Sequence, residues 1–218
     1  MIYTIGDVDL EFPDTWACNS IFEEMKLDHY RLSDMVFQNG DIVVDIGGHT
    51  GEFAIYMGKK YPQINIISFE PIPFLYMDFI KNIENNNVRN VRVFHFAVSG
   101  DGRGMTLVGS LNGNTGGASS YMMKSEEGNS LFFTQSLTLD SIFNIFKIDE
   151  CKFLKIDVEG AEYEILYKTN VLNRVKYFRA EFHENSLIRS MGYNMHELGD
   201  YVKGFVEDIF FETCIMHE

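Results

Sequence analysis

Asp41-Ile-Val-Val-Asp-Ile-Gly-Gly-His-Thr-Gly51 is an apolar strand that runs into an acid, two adjacent glycines and a third glycine, with a helix signal directly after it. Nineteen residues beyond Gly51, a second apolar run, Ile64-Asn-Ile-Ile-Ser-Phe-Glu70, ends in another acid. Strand, glycine turn, helix, strand and acid make one half of a nucleotide-type binding unit, and the spacing puts Glu70 on a ribose. A dinucleotide fingerprint would need Gly-x-Gly-x-x-Gly, so that the backbone can approach a pyrophosphate at the helix N-terminus. Ile46 stands two residues before Gly48, so the first of those glycines is missing.

Asp45 at the strand end would repel a phosphate and welcome an ammonium or sulfonium group. A ligand with an adenosine end and a positively charged middle satisfies both constraints, and S-adenosylmethionine is such a ligand. The chain has 218 residues, 45% hydrophobic and 23% charged, which fits one globular domain with a proper core. A net charge of -14 disfavours a nucleic-acid surface, and Arg89, Arg92 and Arg103 are too interrupted to form one. Cys18, Cys151 and Cys214 are odd in number and far apart, so no disulfide framework or zinc spacing follows; Cys151 and Cys214, beside apolar residues, read as buried thiols, and a reducing cytoplasmic setting is expected. The N-terminal residues lack the basic region and apolar core of a secretory signal, and no run of apolar residues is long enough to predict a membrane span.

Residues 1–40 lie outside the strand–helix rhythm and read as a cover segment of the same domain. Ile2 to Phe12 suits a short hairpin, and residues 16–27 a helix with Trp16, Ile21, Phe22, Met25 and Leu27 on one side. From 41 to 218, apolar strands alternate with helical segments, which predicts a mostly parallel sheet covered on both faces. Ligands then sit at the carboxyl ends of the strands, where Asp45, Glu70 and Phe96-Ala97 fall. The glycine-rich stretch 99–130 interrupts this rhythm. Met105 to Val108 and Leu131 to Thr134 suit an antiparallel pair, and Asn112 to Ser120 a mobile loop near the cleft. Phe205 to Ile215 reads as closing antiparallel strands, and the aromatics of residues 201–211, if exposed, would suggest a homodimer interface.

A second constellation follows the strand Lys152-Phe-Leu-Lys-Ile-Asp157, which opens into Asp157-Val-Glu-Gly-Ala-Glu162. The neighbouring strand, Phe178-Arg-Ala-Glu-Phe-His183, places Glu181 and His183 on one face. A glutamate and a histidine together at a strand's carboxyl end look like a base with its orienting partner, or like metal ligands. His183 is the base expected from position and chemistry, with Asp157 as the other proton acceptor. A divalent cation on Asp157, Glu181 and His183 is a variant of that reading. His49 reads as a cofactor contact and His95 as a packed side chain.

In order along the chain, these pieces resemble the FkbM-type family of S-adenosylmethionine-dependent methyltransferases over roughly residues 40–185. The matching blocks are Asp45-Ile-Gly-Gly-His-Thr-Gly51, Phe69-Glu70-Pro71, Asn82 with Asn86, Ala97-Val98, Thr138-Leu139-Asp140, Lys155-Ile-Asp-Val-Glu-Gly-Ala-Glu162 and Glu181-Phe-His183. The resemblance implies an α/β, Rossmann-like sheet of seven strands, mostly parallel with an antiparallel strand near the edge and helices on both faces. It also implies methyl transfer to a hydroxyl of a small molecule, sugar or glycan, with no nucleic-acid acceptor. By the same resemblance Asp45, Gly47, Gly48 and Gly51 form the methionine side of the pocket, and His49, Thr50 and Asp157 are expected as further cofactor contacts. Glu70 with Pro71 serves the ribose, Phe96 and Ala97 lie by the adenine, and Asn82 or a backbone carbonyl meets the adenine amino group. The family's usual turn has alanine–asparagine where this chain has Gly48-His49, which leaves the role of His49 open. A noncatalytic adenosine-binding scaffold is the competing reading, and it would need no acid–histidine cluster opposite the cofactor.

Overall fold

The computed structural model describes residues 1–13, 15–110, 119–121 and 129–216. The chain opens with an antiparallel hairpin, β1 (Ile2–Ile5) and β2 (Val8–Glu11), followed by helix α1 (Trp16–Lys26). The Thr15 hydroxyl caps α1 by accepting the Cys18 N–H at 3.1 Å, which satisfies one of the helix's unpaired amides. Only one side of α1 is buried, through Ala17, Cys18, Phe22 and Met25. Trp16 and Leu27, expected on that side, are 67% and 75% exposed.

Strand and helix then alternate: β3 (Ile42–Ile46), α2 (Glu52–Lys60), β4 (Asn65–Phe69), α3 (Pro73–Asn85) and β5 (Val91–Phe94). The chain bends after Phe94, and β6 (Ala97–Val98) leaves the main sheet. β7 (Met105–Ser110) and β8 (Asn129–Thr134) form the anticipated antiparallel hairpin, and β9 (Ser136–Leu137) pairs in parallel with β6. Of the loop expected at Asn112 to Ser120, residues 112–118 lie outside the described residues. Then come α4 (Leu139–Ile145), β10 (Cys151–Ile156), α5 (Glu162–Lys168), β11 (Val175–Glu184), α6 (Ser186–Ser190), α7 (Met195–Lys203) and β12 (Asp208–Ile215).

The main sheet has the order β12-β11-β10-β3-β4-β5, and each of its pairings is parallel. This corrects the expected seven strands with an antiparallel member: the described residues give six, running one way. The cause lies in the connection. α6 and α7 carry the chain back across the sheet before β12 begins, so β12 enters alongside β11 in the same direction. Residues 205–215 hold one strand where closing antiparallel strands were expected.

Side chains alternate across each strand and build a core on both faces. Val44, Ile46, Leu154 and Ile156 pack with residues of α4, α5 and α7. Val43, Ile66 and Phe153 pack with the N-terminal hairpin, α1, α2 and α3. Residues 1–40 therefore contribute to the core on that face of the sheet. Among the described residues, no helix is long and apolar enough to cross a membrane.

Candidate functional site

The chain winds from β3 outward to β5 on one side, and from β10 outward to β12 on the other. Such a reversal opens a crevice at the carboxyl ends of the two central strands. There the Asp157 N–H donates to the Ile46 carbonyl at 3.0 Å, locking the two strand exits together. Gly47 has φ +85°, and a Cβ on it would stand 1.8 Å from the Asp157 carbonyl oxygen, so only glycine fits. A Cβ on Gly48 would meet the Ser68 hydroxyl oxygen at 2.3 Å. The turn leaves a cavity of about 290 Å³, whose wall runs from Gly47 to Glu70 and Phe96 on one side and to Asp157, Glu159 and Glu181 on the other. α1 crosses the mouth and contributes Trp16, Ser20 and Glu24.

Glu70 is buried and pre-oriented. Its Oε2 accepts the His49 N–H at 2.8 Å and its Oε1 the Ile72 N–H at 2.7 Å. Burial pushes its carboxyl up to about 7 against those two bonds. Each oxygen keeps a lone-pair direction for a diol. Pro71, Phe96 and Ala97 line the same wall. Asn82 does not: its amide donates to the Thr50 carbonyl at 2.9 Å from a buried position, so it braces the glycine turn.

His49, at φ +49°, lines the cavity, and its Nδ1 lies 3.1 Å from Glu52 Oε1. Burial opposes both charges in this pair, yet each holds the other. The His49 pKa is raised, and Glu52 is brought down to about 2. The Thr50 hydroxyl and the Cys18 thiol also donate to Glu52. Thr50 and Gly51 therefore build the start of α2 and stay off the cavity wall.

Asp45 lies beneath the turn. It shares the face of Val43, so its side chain points to the α1–α2 side, fully buried, and it does not line the cavity. Ser68 Oγ donates to it at 2.6 Å, and Lys155 Nζ sits 3.6 Å from its other oxygen. Ser68, Asp45, Lys155 and Arg179 stand in register as a buried polar row across four strands. Lys155 also donates to the Gly47 carbonyl at 3.2 Å, and Arg179 to the Tyr30 carbonyl at 2.8 Å. The row thus ties the glycine turn to the N-terminal segment.

At the far end of the cavity, Asp157, Glu159 and Glu181 converge with Glu24. Burial raises Glu159 to about 8, and the Asp157 charge, followed by burial, raises Glu181 to about 7. His183 stands behind them. Its Nδ1 is 2.9 Å from Glu162 and its Nε2 is 3.5 Å from Glu159, and it is buried off the cavity wall. Burial disfavours its charge, but Cys214 and the two glutamates prevail and push it up to about 12. An imidazolium cannot accept a proton, so the expected base is instead the cationic support of Glu159. Donor atoms of Asp157, Glu159 and His183 lie within 4.8 Å of one another, as do those of Glu181, His183 and Cys214. Both sets rely on His183, whose two ring nitrogens already face glutamates. The expected metal set therefore fits the arrangement poorly.

Sequence reading missed Lys155 and Glu24, and it brought Glu159 near the cleft through the turn at Gly160 without giving it a role. Glu159 was legible in part, since Gly160 follows it, but its own φ of +54° is what redirects it. Lys155 was visible as a lone cation in an apolar strand. Nothing in the helical pattern of α1 marks Glu24.

The glycine cradle, the buried Glu70 and an acid-lined far wall suit an adenosyl group bearing a sulfonium. A model of the methyltransferase FkbM domain matches residues 45–200. Methyltransferase 1 of Beauveria bassiana (strain ARSEF 2860) is 28% identical over 146 residues, covering 60% of this chain and 59% of that protein. The chain thus spans about three-fifths of that relative's length. Methyltransferase sdnD of Sordaria araneosa is 25% identical over 198 residues, covering 75% of this chain and 70% of its own. Among solved structures, precorrin-6y C5,15-methyltransferase from Geobacter metallireducens GS-15 aligns with 66% of this chain and 53% of its own, at 15% identity and a TM-score of 0.39.

Proposed function

Because the chain belongs to the FkbM methyltransferase family, we propose that it transfers a methyl group from S-adenosylmethionine to a hydroxyl of a small molecule or glycan. The observation that carries this reading is one cavity holding both a glycine cradle beside the pre-oriented Glu70 and, opposite it, a group of carboxylates poised near neutrality. The bound cofactor would supply an electrophilic methyl on a sulfonium sulfur. The chain's own groups do the rest. Glu70 receives the ribose hydroxyls, Phe96 and Ala97 give an apolar wall for the adenine, and Gly47 and Gly48 leave room for the methionine arm.

The acidic far wall favours a cation over a phosphate at the strand exits. It would also position the acceptor oxygen toward the cofactor, and such alignment contributes several powers of ten in rate. Transfer to the acceptor oxygen would leave the electron pair of the broken C–S bond on the cofactor's sulfur. The hydroxyl proton passes to Glu159, with Glu181 or Asp157 as the next acceptor in reach. His183 and Glu162 stabilise the Glu159 carboxylate from behind.

Calorimetric titration with S-adenosylmethionine, S-adenosylhomocysteine and NAD tests the reading. Micromolar binding of the two adenosyl ligands, without NAD binding, is expected. Glu70→Gln should weaken S-adenosylhomocysteine about tenfold to a hundredfold, because the carboxylate's charge-assisted bonds are worth about 1.5–3 kcal/mol. No binding of either adenosyl ligand sinks the proposal.

A further inference from the structure

Among the described residues other than glycine, six have a positive φ, and only His49 and Glu159 of these line the cavity. A side chain in the left-handed region persists only where its surroundings hold it there. At His49 the holding group is Glu52. His49 Nδ1 lies 3.1 Å from Glu52 Oε1 and 3.3 Å from its Oε2. Glu52 is itself fixed. The Thr50 hydroxyl donates to it at 2.5 Å and the Cys18 thiol of α1 at 3.3 Å, and its side chain is 1% exposed. The turn around them is braced as well, by the Gly51 N–H on the Gly48 carbonyl at 2.9 Å and by Asn82 on the Thr50 carbonyl.

The peptide that enters His49 donates its N–H to Glu70 Oε2 at 2.8 Å. That peptide can rotate only through ψ of Gly48 and φ of His49. Gly48 has no side chain to resist the rotation, so the resistance comes from the His49 end. The other Glu70 oxygen is held separately, by the Ile72 N–H at 2.7 Å. A carboxylate with one of its two donors loosened can swing, and its bonds to neighbouring hydroxyls no longer form together.

We propose that Glu52 is the positioning residue of the ribose seat: by gripping the His49 ring it keeps the His49 N–H on Glu70, and so sets how strictly the protein demands both ribose hydroxyls of its nucleoside ligand. The proposal rests on the reading of Glu70 as the ribose carboxylate and gives that selectivity a cause. Glu52 touches no ligand in this role. It acts through the backbone of its neighbour, and the conformation of residue 49 is the variable that matters.

The test titrates S-adenosylhomocysteine and its 2′-deoxy analogue by calorimetry and reads the ratio of the two affinities. A partly unfolded variant loses apparent affinity for both ligands by the same factor, so the ratio does not respond to stability. The unaltered protein is expected to prefer the ribose ligand about tenfold or more. Glu52→Ala and His49→Ala should each bring that preference below about threefold. Asn enters the left-handed region readily and needs no carboxylate to stay there. Glu52→Ala combined with His49→Asn should therefore restore the preference to about tenfold. An undiminished ratio in either alanine variant overturns the proposal, and so does a double variant whose ratio stays as low as that of Glu52→Ala. Should Glu52→Ala not fold, His49→Ala decides alone. Equal binding of both ligands by the unaltered protein also overturns it, by removing Glu70 from the ribose while the cofactor assignment stands. Failure of S-adenosylhomocysteine to bind at all overturns the methyltransferase reading itself.

Discussion

A carboxylate must be ionised before it can take a proton, so Glu159 at about 8 and Glu181 at about 7 set the pH dependence of the proposed reaction. Once an acceptor is in hand, kcat/KM is expected to rise with pH through about 7 to 8 and flatten above that. Glu159→Gln should lower kcat about 10²–10⁴-fold with S-adenosylhomocysteine affinity unchanged. His183→Asn removes a positive charge that holds Glu159 down, so the rising limb should move to higher pH. A limb that stays in place would show that His183 is not coupled to the base. Glu70 and Asp157 were legible in the sequence because they directly follow β4 and β10, Phe96 and Ala97 because they follow β5, and Glu181 because it lies in the last residues of β11, and the carboxyl ends of these strands meet at the crevice. Asp45 and Asn82 were not placed correctly. The two-residue period sends Asp45 to the opposite face, one position short of the exit. The Asn82 amide is committed to a backbone carbonyl, a contact that residue spacing does not reveal.

Among the elements, the glycine turn and α2 depend on one another. Gly47→Ala would put a methyl against the Asp157 carbonyl at a φ that disfavours side chains, so the variant should lose more than about 3 kcal/mol and unfold at a visibly lower temperature. Glu52 at the head of α2 has a folded pKa of about 2 against 4.5 unperturbed. A depressed acid contributes stability that is complete above its unfolded value and is lost as pH falls toward its folded one. Glu52→Gln should therefore cost about 3–5 kcal/mol near neutrality. That deficit should shrink as pH drops from about 4.5 to about 2, and a deficit constant across this range would refute the assignment. The alternation of β3, α2, β4 and α3 was readable because periodicity and turn residues agree along that stretch. The direction of β12 was not. An apolar aromatic run has the same composition whichever way it enters a sheet, and only the path through α6 and α7 decides it.

For the whole molecule, the pairing of β3 with β10 has consequences beyond the site it creates. Residues 43–46 lie against residues 153–156, and the main sheet is parallel throughout. Both the Gly47 cradle and the acids of the far wall depend on that one long-range pairing, so neither half of the cavity can be complete before the chain has closed a loop of about a hundred residues. Loop closure of that kind is paid in entropy before any contact rewards it, and parallel topologies assemble slowly for that reason. Refolding from denaturant, followed by stopped-flow fluorescence, is expected to show helix formation first and binding of S-adenosylhomocysteine only in the last phase. Ligand binding in an early phase would mean that the two strand exits meet independently of the sheet. During synthesis the same order holds. A ribosome releases β3 and its glycine turn long before β10, and the nascent half-sheet carries the bare edge of β3, with buried Asp45 still lacking Lys155. That interval is when the chain is most exposed to aggregation, and slower translation of the segment from 99 to 150 would lengthen it.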